Sequence, residues 1–284
     1  MTEKEKPSVP SHKEVFTGIY ERCELGNDYN PIYKGSSGRG CTLEYNKQEL
    51  IPFIKQFIID KNIKTVVDLG CGNIQYAYSL YNDVGVYYYG YDVYEKVIEY
   101  NIKFYNNKKF IFQCADILSE KESLINAELC VIKDVLQHWT ITDIYTLLDY
   151  FTSTKKYKYI IIINCCQQGG DIFESATATA TDSDAEFNTG GWRQLSANYL
   201  PLKKYNPKII FHYDSKELSV IQTYIFGSKT ECLETTLMNV VKTKMKGKSA
   251  CVGADAFANR SISPTPNLTR LRSGTPLKSS PLFK

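Results

Sequence analysis

Histidine is scarce in this 284-residue chain, with only His12, His138 and His212. The nine cysteines are scattered, odd in number, and contain no CxxC pair. These shortages argue against a disulfide framework and against a zinc site of ordinary spacing, so no metal is expected and a reducing, cytoplasmic setting fits best. No apolar run reaches the length of a membrane span; Tyr159–Ile163 suffices for one strand. The first residues, MTEKEKPSVPSHKE, are charged and carry no apolar segment, so no signal peptide is expected. A P-loop ending in Gly-Lys-Ser/Thr is missing, and Gln75 stands where a dinucleotide fingerprint would place its third glycine.

What is present is enough for a full core. Hydrophobic residues make up 43% of the chain and aromatics 13%, including 22 tyrosines, which argues against disorder of the whole chain. Charge is unevenly spread. Residues 242–284 hold nine Lys or Arg against one acid, Asp255, while residues 1–241 hold 25 basic and 30 acidic residues. The tail also carries Ser263-Pro264, Thr265-Pro266, Thr275-Pro276 and Ser280-Pro281, has few large apolar residues, and reads as disordered. Two readings stay open: a solvated tail without a partner, or a weak contact with nucleic acid or an acidic protein, tuned by phosphorylation. The expected organisation is a lead-in segment over 1–42, a main folded domain over 43–228, and the basic tail over 229–284.

Within the middle segment, strands and helices alternate. Strands are expected at Thr65–Leu69, Val86–Tyr91, Lys109–Gln113, Leu129–Ile132 and Tyr159–Ile163, with helices over 75–82, 94–105, 120–126 and 141–151 between them. Apolar residues from Leu50 to Ile59 recur at helical spacing. Residues 1–14 read as an unstructured lead-in and 15–26 as a short helix. Nearly continuous apolar strands separated by helices predict an α/β fold with a parallel sheet covered on both faces. Lys208–Tyr213 and Val220–Phe226 are too close for a crossover helix and read as a hairpin joined by Asp214–Ser219, so one of them runs antiparallel.

The chemistry-bearing residues fall at the C-terminal ends of the strands, where ligands bind in such sheets. Val66-Val67-Asp68-Leu69-Gly70-Cys71-Gly72-Asn73 is a strand running into a glycine turn, which permits close approach of backbone to ligand. Asp92, followed by Val93, ends the second strand and suits the two hydroxyls of a ribose. Asp116-Ile117 ends the third and pairs a carboxylate with an apolar wall for a flat ring. Each has a plain alternative: a bare turn for the glycines, helix caps for the two acids.

Together these three elements resemble the class I S-adenosylmethionine-dependent methyltransferases, over roughly residues 43–228. The resemblance implies S-adenosylmethionine as cofactor and a Rossmann-like sheet of seven strands in the order 3-2-1-4-5-7-6, with the last strand antiparallel. By it, Asp68, Gly70, Gly72 and Asn73 belong to the cofactor's glycine motif, Asp92 and Val93 to the ribose contact, and Asp116 with Ile117 to the adenine contact. The end of the fourth strand, Val131-Ile132-Lys133-Asp134-Val135-Leu136-Gln137-His138-Trp139, then lies beside the reactive methyl group. His138 is the candidate general base, Asp134 its orienting group or a base itself, and Lys133 a contact to cofactor or acceptor. The alternative for His138 is packing against Trp139 and Tyr145. Phe16-Thr17-Gly18-Ile19-Tyr20 resembles a segment of methyltransferases loosely tied to polysaccharide modification.

The fourth strand lacks the Pro-Pro-aromatic of DNA-adenine enzymes and the Pro-Cys of cytosine-C5 enzymes. The Lys-Asp-Lys-Glu tetrad of RNA ribose enzymes is not evident either, because the fifth strand ends in Asn164-Cys165-Cys166, and the two cysteines read as buried core. By the resemblance, the lead-in segment over 1–42 is a lid, and Arg39, in its glycine-rich loop 35–40, is a candidate clamp for a carboxylate. Trp192 and Arg193 follow a long insert, of which 175–188 reads as disordered or mobile, and form a candidate acceptor wall. The leading expectation is O-methylation of a small molecule or glycan, without a membrane partner. The alternatives are an RNA or protein methyltransferase recruited by the tail, and a cofactor-binding module without catalysis.

Overall fold

The strand-forming runs are β-branched, aromatic and buried, and they assemble in the order their crossovers dictate. The computed structural model describes residues 10–166, 187–214 and 216–223; the tail and most of the insert lie outside them. Strands β1 (Thr65–Leu69), β2 (Tyr87–Asp92), β3 (Phe110–Cys114), β4 (Ala127–Lys133), β5 (Tyr157–Cys165), β6 (Lys208–Tyr213) and β7 (Lys216–Gln222) form one sheet in the order β3-β2-β1-β4-β5-β7-β6. The pairs from β3 through β5 are parallel, and β7 runs antiparallel to both neighbours. The order and the reversed strand are those that the resemblance to class I methyltransferases implies.

β4 and β5 lie in the middle of the sheet and are apolar on both faces. One face packs on helix α6 (Ile141–Thr154), where Ile144, Leu147, Leu148 and Phe151 meet Ile160 and Ile162. The short α2 (Leu43–Asn46) leads into α3 (Leu50–Asp60) ahead of β1, and α4 (Gln75–Val84) and α5 (Glu95–Tyr105) follow β1 and β2. Burying one Leu or Phe side chain contributes roughly 1.5–3 kcal/mol, so this two-sided core carries the fold.

Three sequence expectations are corrected. Helix α1 (His12–Glu21) begins inside the stretch read as unstructured, because Ser11 and Glu14 close a capping box on each other's backbone N–H groups. No helix forms at 120–126. There Asp116 Oδ1 accepts the Leu118 N–H at 3.1 Å and Ser123 Oγ donates to the Glu120 carbonyl at 2.8 Å, so local side-chain bonds fold the link as turns. β7 starts at Lys216, not Val220. Asp214 takes a left-handed conformation (φ 49°) and accepts a hydrogen bond from Tyr45 OH at 2.9 Å, which closes the hairpin early. The buried polar residues Lys216, Glu217 and Ser219 disguised its first half as a turn.

Candidate active site

A cavity of about 710 Å³, including its mouth, opens beyond the C-terminal ends of β1 to β4. Gly70, Gly72, Asp92, Val93, Asp116, Ile117, Lys133, Asp134 and His138 all line it, so nine of the residues singled out in the sequence come together. Gly70 and Gly72 hold φ of 73° and 53°, conformations that L side chains rarely adopt. A Cβ on Gly72 would stand 2.7 Å from Ser37 Oγ, so the turn has no room for one. Asn101 Nδ2 donates to the Gly72 carbonyl at 2.7 Å and fixes the turn from below.

Asp92 is buried at the cavity wall. Its Oδ2 accepts the Gly72 N–H at 2.9 Å and its Oδ1 the Tyr94 N–H at 3.0 Å. Asp92 thus bonds the chain locally at Gly72 and Tyr94, and each of its oxygens keeps a further lone pair. Burial pushes its carboxyl up from 3.8, and the backbone N–H groups of Tyr94, Gly72 and Val93 pull it back. Asp116 likewise uses Oδ1 locally, while Val93, Ala115 and Ile117 add apolar wall.

The end of β4 forms a charged knot. Lys133 Nζ donates to Asp134 Oδ2 and to the Gly40 carbonyl, both at 2.7 Å. Lys216, from β7, donates to Asp134 Oδ1 and to Cys165 Sγ, the latter at 2.8 Å. A second lysine thus reaches this carboxylate from a strand that no motif marked, and Cys165 belongs to the knot and not to a plain core. Burial alone would raise the Asp134 carboxyl, but the two ammonium groups hold it below 3.8. Asp134 is therefore an anion committed to lysines, and it makes no hydrogen bond to His138.

His138 sits on a 3₁₀ turn, Leu136–His138, just past β4. Its Nδ1 lies 2.7 Å from the Gly191 carbonyl, which can only accept, so Nδ1 carries the proton and Nε2 the lone pair. Gln137 Nε2 lies 3.4 Å from that lone pair. Burial lowers the imidazole below 6.5, partly offset by the Gly191 contact, so it is neutral at pH 7. It packs edge-on against Phe16.

The segment ahead of the sheet closes the cavity with His12, Phe16, Tyr20, Leu25, Ser37 and Cys41. Tyr20 stacks on Tyr94 at 4.3 Å, and its hydroxyl lies 2.7 Å from Ser37 Oγ. Ser37 Oγ accepts the Asn73 N–H at 2.8 Å, so this segment is seated directly on the glycine turn. His12 Nε2 lies 3.0 Å from Asp143 Oδ2, which ties α1 to α6. Apart from Phe16 and Tyr20, which lie in the quoted segment, these residues carried no recognisable motif.

Five singled-out residues stand elsewhere. Asp68 is fully buried beneath the turn and accepts from Tyr88 OH at 2.8 Å. Asn73 faces the segment ahead of the sheet, donating from Nδ2 to Tyr33 OH at 2.7 Å. Arg39 is exposed, with its guanidinium 5.1 Å from the Tyr45 ring centroid. Trp192 is 55% exposed, and Arg193 lies over Phe187. What Arg193 brings to the site is its backbone, whose N–H donates to the Gln137 carbonyl at 3.0 Å.

No family model matches this sequence, and no curated protein matches it. Among solved structures it is similar to the magnesium protoporphyrin IX methyltransferase ChlM from Synechocystis PCC 6803, with 13% identity, a TM-score of 0.49, and coverage of 76% of this chain and 98% of that one. It is also similar to human N-acetylserotonin methyltransferase (16%, TM-score 0.46, 76% and 61% covered) and to the methyltransferase domain of bacterial CtHen1 (13%, TM-score 0.46, 64% and 100% covered). Likenesses this distant carry no activity across to this chain; the strand order and the cavity are its own evidence.

Proposed function

We propose that this chain transfers a methyl group from S-adenosylmethionine to an oxygen atom of a small molecule or glycan. The carrying observation is the meeting, around one cavity, of the glycine turn, the half-committed Asp92, the Asp116–Ile117 wall and a neutral His138. The donor set fits the cofactor: Asp92 for a ribose diol, Val93, Ala115 and Ile117 for a flat ring, and a turn too tight for any Cβ. When bound, S-adenosylmethionine supplies an electrophilic methyl group on a sulfonium. His138 Nε2 takes the acceptor's hydroxyl proton, while the Gly191 carbonyl holds Nδ1–H and keeps the ring oriented. The lid excludes water and aligns the acceptor, which supplies much of the rate for so reactive a donor. The Lys133–Asp134–Lys216 knot keeps fixed charge beside the reacting centre.

A second reading, transfer to a ribose hydroxyl of RNA, draws support from Lys216, which places two lysines on Asp134. Incubation of glycan, RNA and protein pools with labelled cofactor separates the two readings. The primary test is calorimetric titration of S-adenosylmethionine and S-adenosylhomocysteine, with NAD as control. Micromolar binding of the first two is expected, with Asp92→Ala weakening it on the order of 10–100-fold through the lost hydroxyl contacts. A folded protein that binds neither, or binds equally well as Asp92→Ala, would remove the pocket from this role.

A further inference from the structure

On the opposite face of the β5–β7–β6 edge from the lysine knot, a second polar cluster is built from three strands. Asn164, Glu217 and His212 lie in one row across the sheet, because Glu217 pairs in register with Asn164 on β5 and with His212 on β6. Residues opposite one another in a sheet present side chains to the same face, and Cys166, two residues past Asn164, shares that face. One donor atom each from Cys166, His212 and Glu217 falls within 4.8 Å of the others. Cys166, Glu217 and Asn164 are buried, and His212 is exposed at the edge.

Two further observations point to a ligand. Glu217 is a buried carboxylate with no Lys or Arg partner among the described residues; its oxygens accept only the Ala197 N–H at 2.6 Å and the Ser196 hydroxyl at 2.8 Å. A buried charge without a counter-charge is costly. Asn164 Oδ1, opposite it, is buried with no hydrogen-bond donor among the described residues. A cation at this place answers both needs.

We infer that Cys166, His212 and Glu217 bind one divalent ion of the zinc class, with Asn164 Oδ1 or water as the fourth donor. The sulfur–nitrogen–oxygen set selects a borderline-soft metal over magnesium or calcium. Thiolate and carboxylate together neutralise the ion's two charges. Ligands about 2.0–2.3 Å from a tetrahedral zinc stand roughly 3.5 Å apart, so the cluster has to contract by about an ångström, which the exposed His212 can supply. Ala197 and Ser196 already orient the carboxylate, as outer-shell donors do at metal sites. The ion would clamp the edge hairpin to the end of β5. Spacing along the sequence conceals the site, since its ligands come from three separate strands or strand ends.

The test is to strip the full-length protein with a chelator, titrate it with Co²⁺, and then compete with Zn²⁺. One equivalent of cobalt should give a near-ultraviolet thiolate-to-metal band and tetrahedral visible bands, all displaced by zinc. Cys166→Ser should abolish the thiolate band. His212→Ala, an exposed edge change that leaves the core intact, should weaken binding by at least the roughly 10–100-fold that losing an outer-shell partner costs. No band in the parent protein would overturn the site, as would a band unchanged in both variants, which would place the metal on other thiols.

Discussion

His138 illustrates how a single hydrogen bond assigns a role. The Gly191 carbonyl accepts a hydrogen bond from Nδ1–H and so fixes the proton on that ring nitrogen, leaving the Nε2 lone pair for the proposed role of base, while burial lowers the imidazole below its ordinary 6.5. His138→Ala should lower turnover about 10²–10⁴-fold without changing S-adenosylhomocysteine affinity. The pH–rate profile should fall only on the acid side, with a midpoint below 6.5 that vanishes in the variant; full activity in the variant would leave alignment as the whole of catalysis. Asp68 behaves differently. Burial pushes its carboxyl from 3.8 up to about 6, against the pull of the Tyr88 hydroxyl. Its folded form thus holds a proton longer than its unfolded form, so its penalty is absent below 3.8, grows between 3.8 and about 6, and is complete at pH 7. Asp68→Asn keeps the acceptor for Tyr88 and should raise stability by roughly 2–3 kcal/mol at pH 7 and by nothing near pH 3.5. Denaturant melts at the two pH values check this, and an equal effect at both would show that charge is not the cause.

At the scale of elements, α1 is held by its ends and by its neighbours. The capping box starts it, His12 ties it to α6, and Tyr20 rests on Tyr94. Ser11→Ala should cost the helix about 1 kcal/mol. The loss should appear as faster amide exchange confined to α1 and weaker cofactor retention, with exchange in β4 and β5 unaltered; faster exchange throughout would mean that α1 is integral to the fold. Elements also show what the sequence could reveal. Thr65–Leu69, Lys208–Tyr213 and the helix from Leu50 were legible because apolar spacing alone determines them. The start of β7 was not, because Lys216 and Glu217 look like turn residues until the partners that bury them, Asp134 and Ser196, are known. The false helix at 120–126 failed for the opposite reason: Asp116 and Ser123 satisfy the backbone locally, and no periodic count registers that.

Across the whole molecule, the cavity-lining residues at strand ends were readable because topology puts all such ends on one edge. Gly70, Gly72, Asp92, Asp116 and His138 needed only the strands to be found. His12, Ser37, Cys41 and Lys216 needed the fold itself, since they reach the site across long stretches of chain. That division has a consequence for how such a protein changes its chemistry. The residues proposed for the cofactor are rooted in the sheet, whereas much of the remaining cavity wall is contributed by residues 12–41, all ahead of the first strand. Under the proposed function, a new acceptor would be accommodated by rewriting residues 12–41 alone, leaving the strand-end residues untouched.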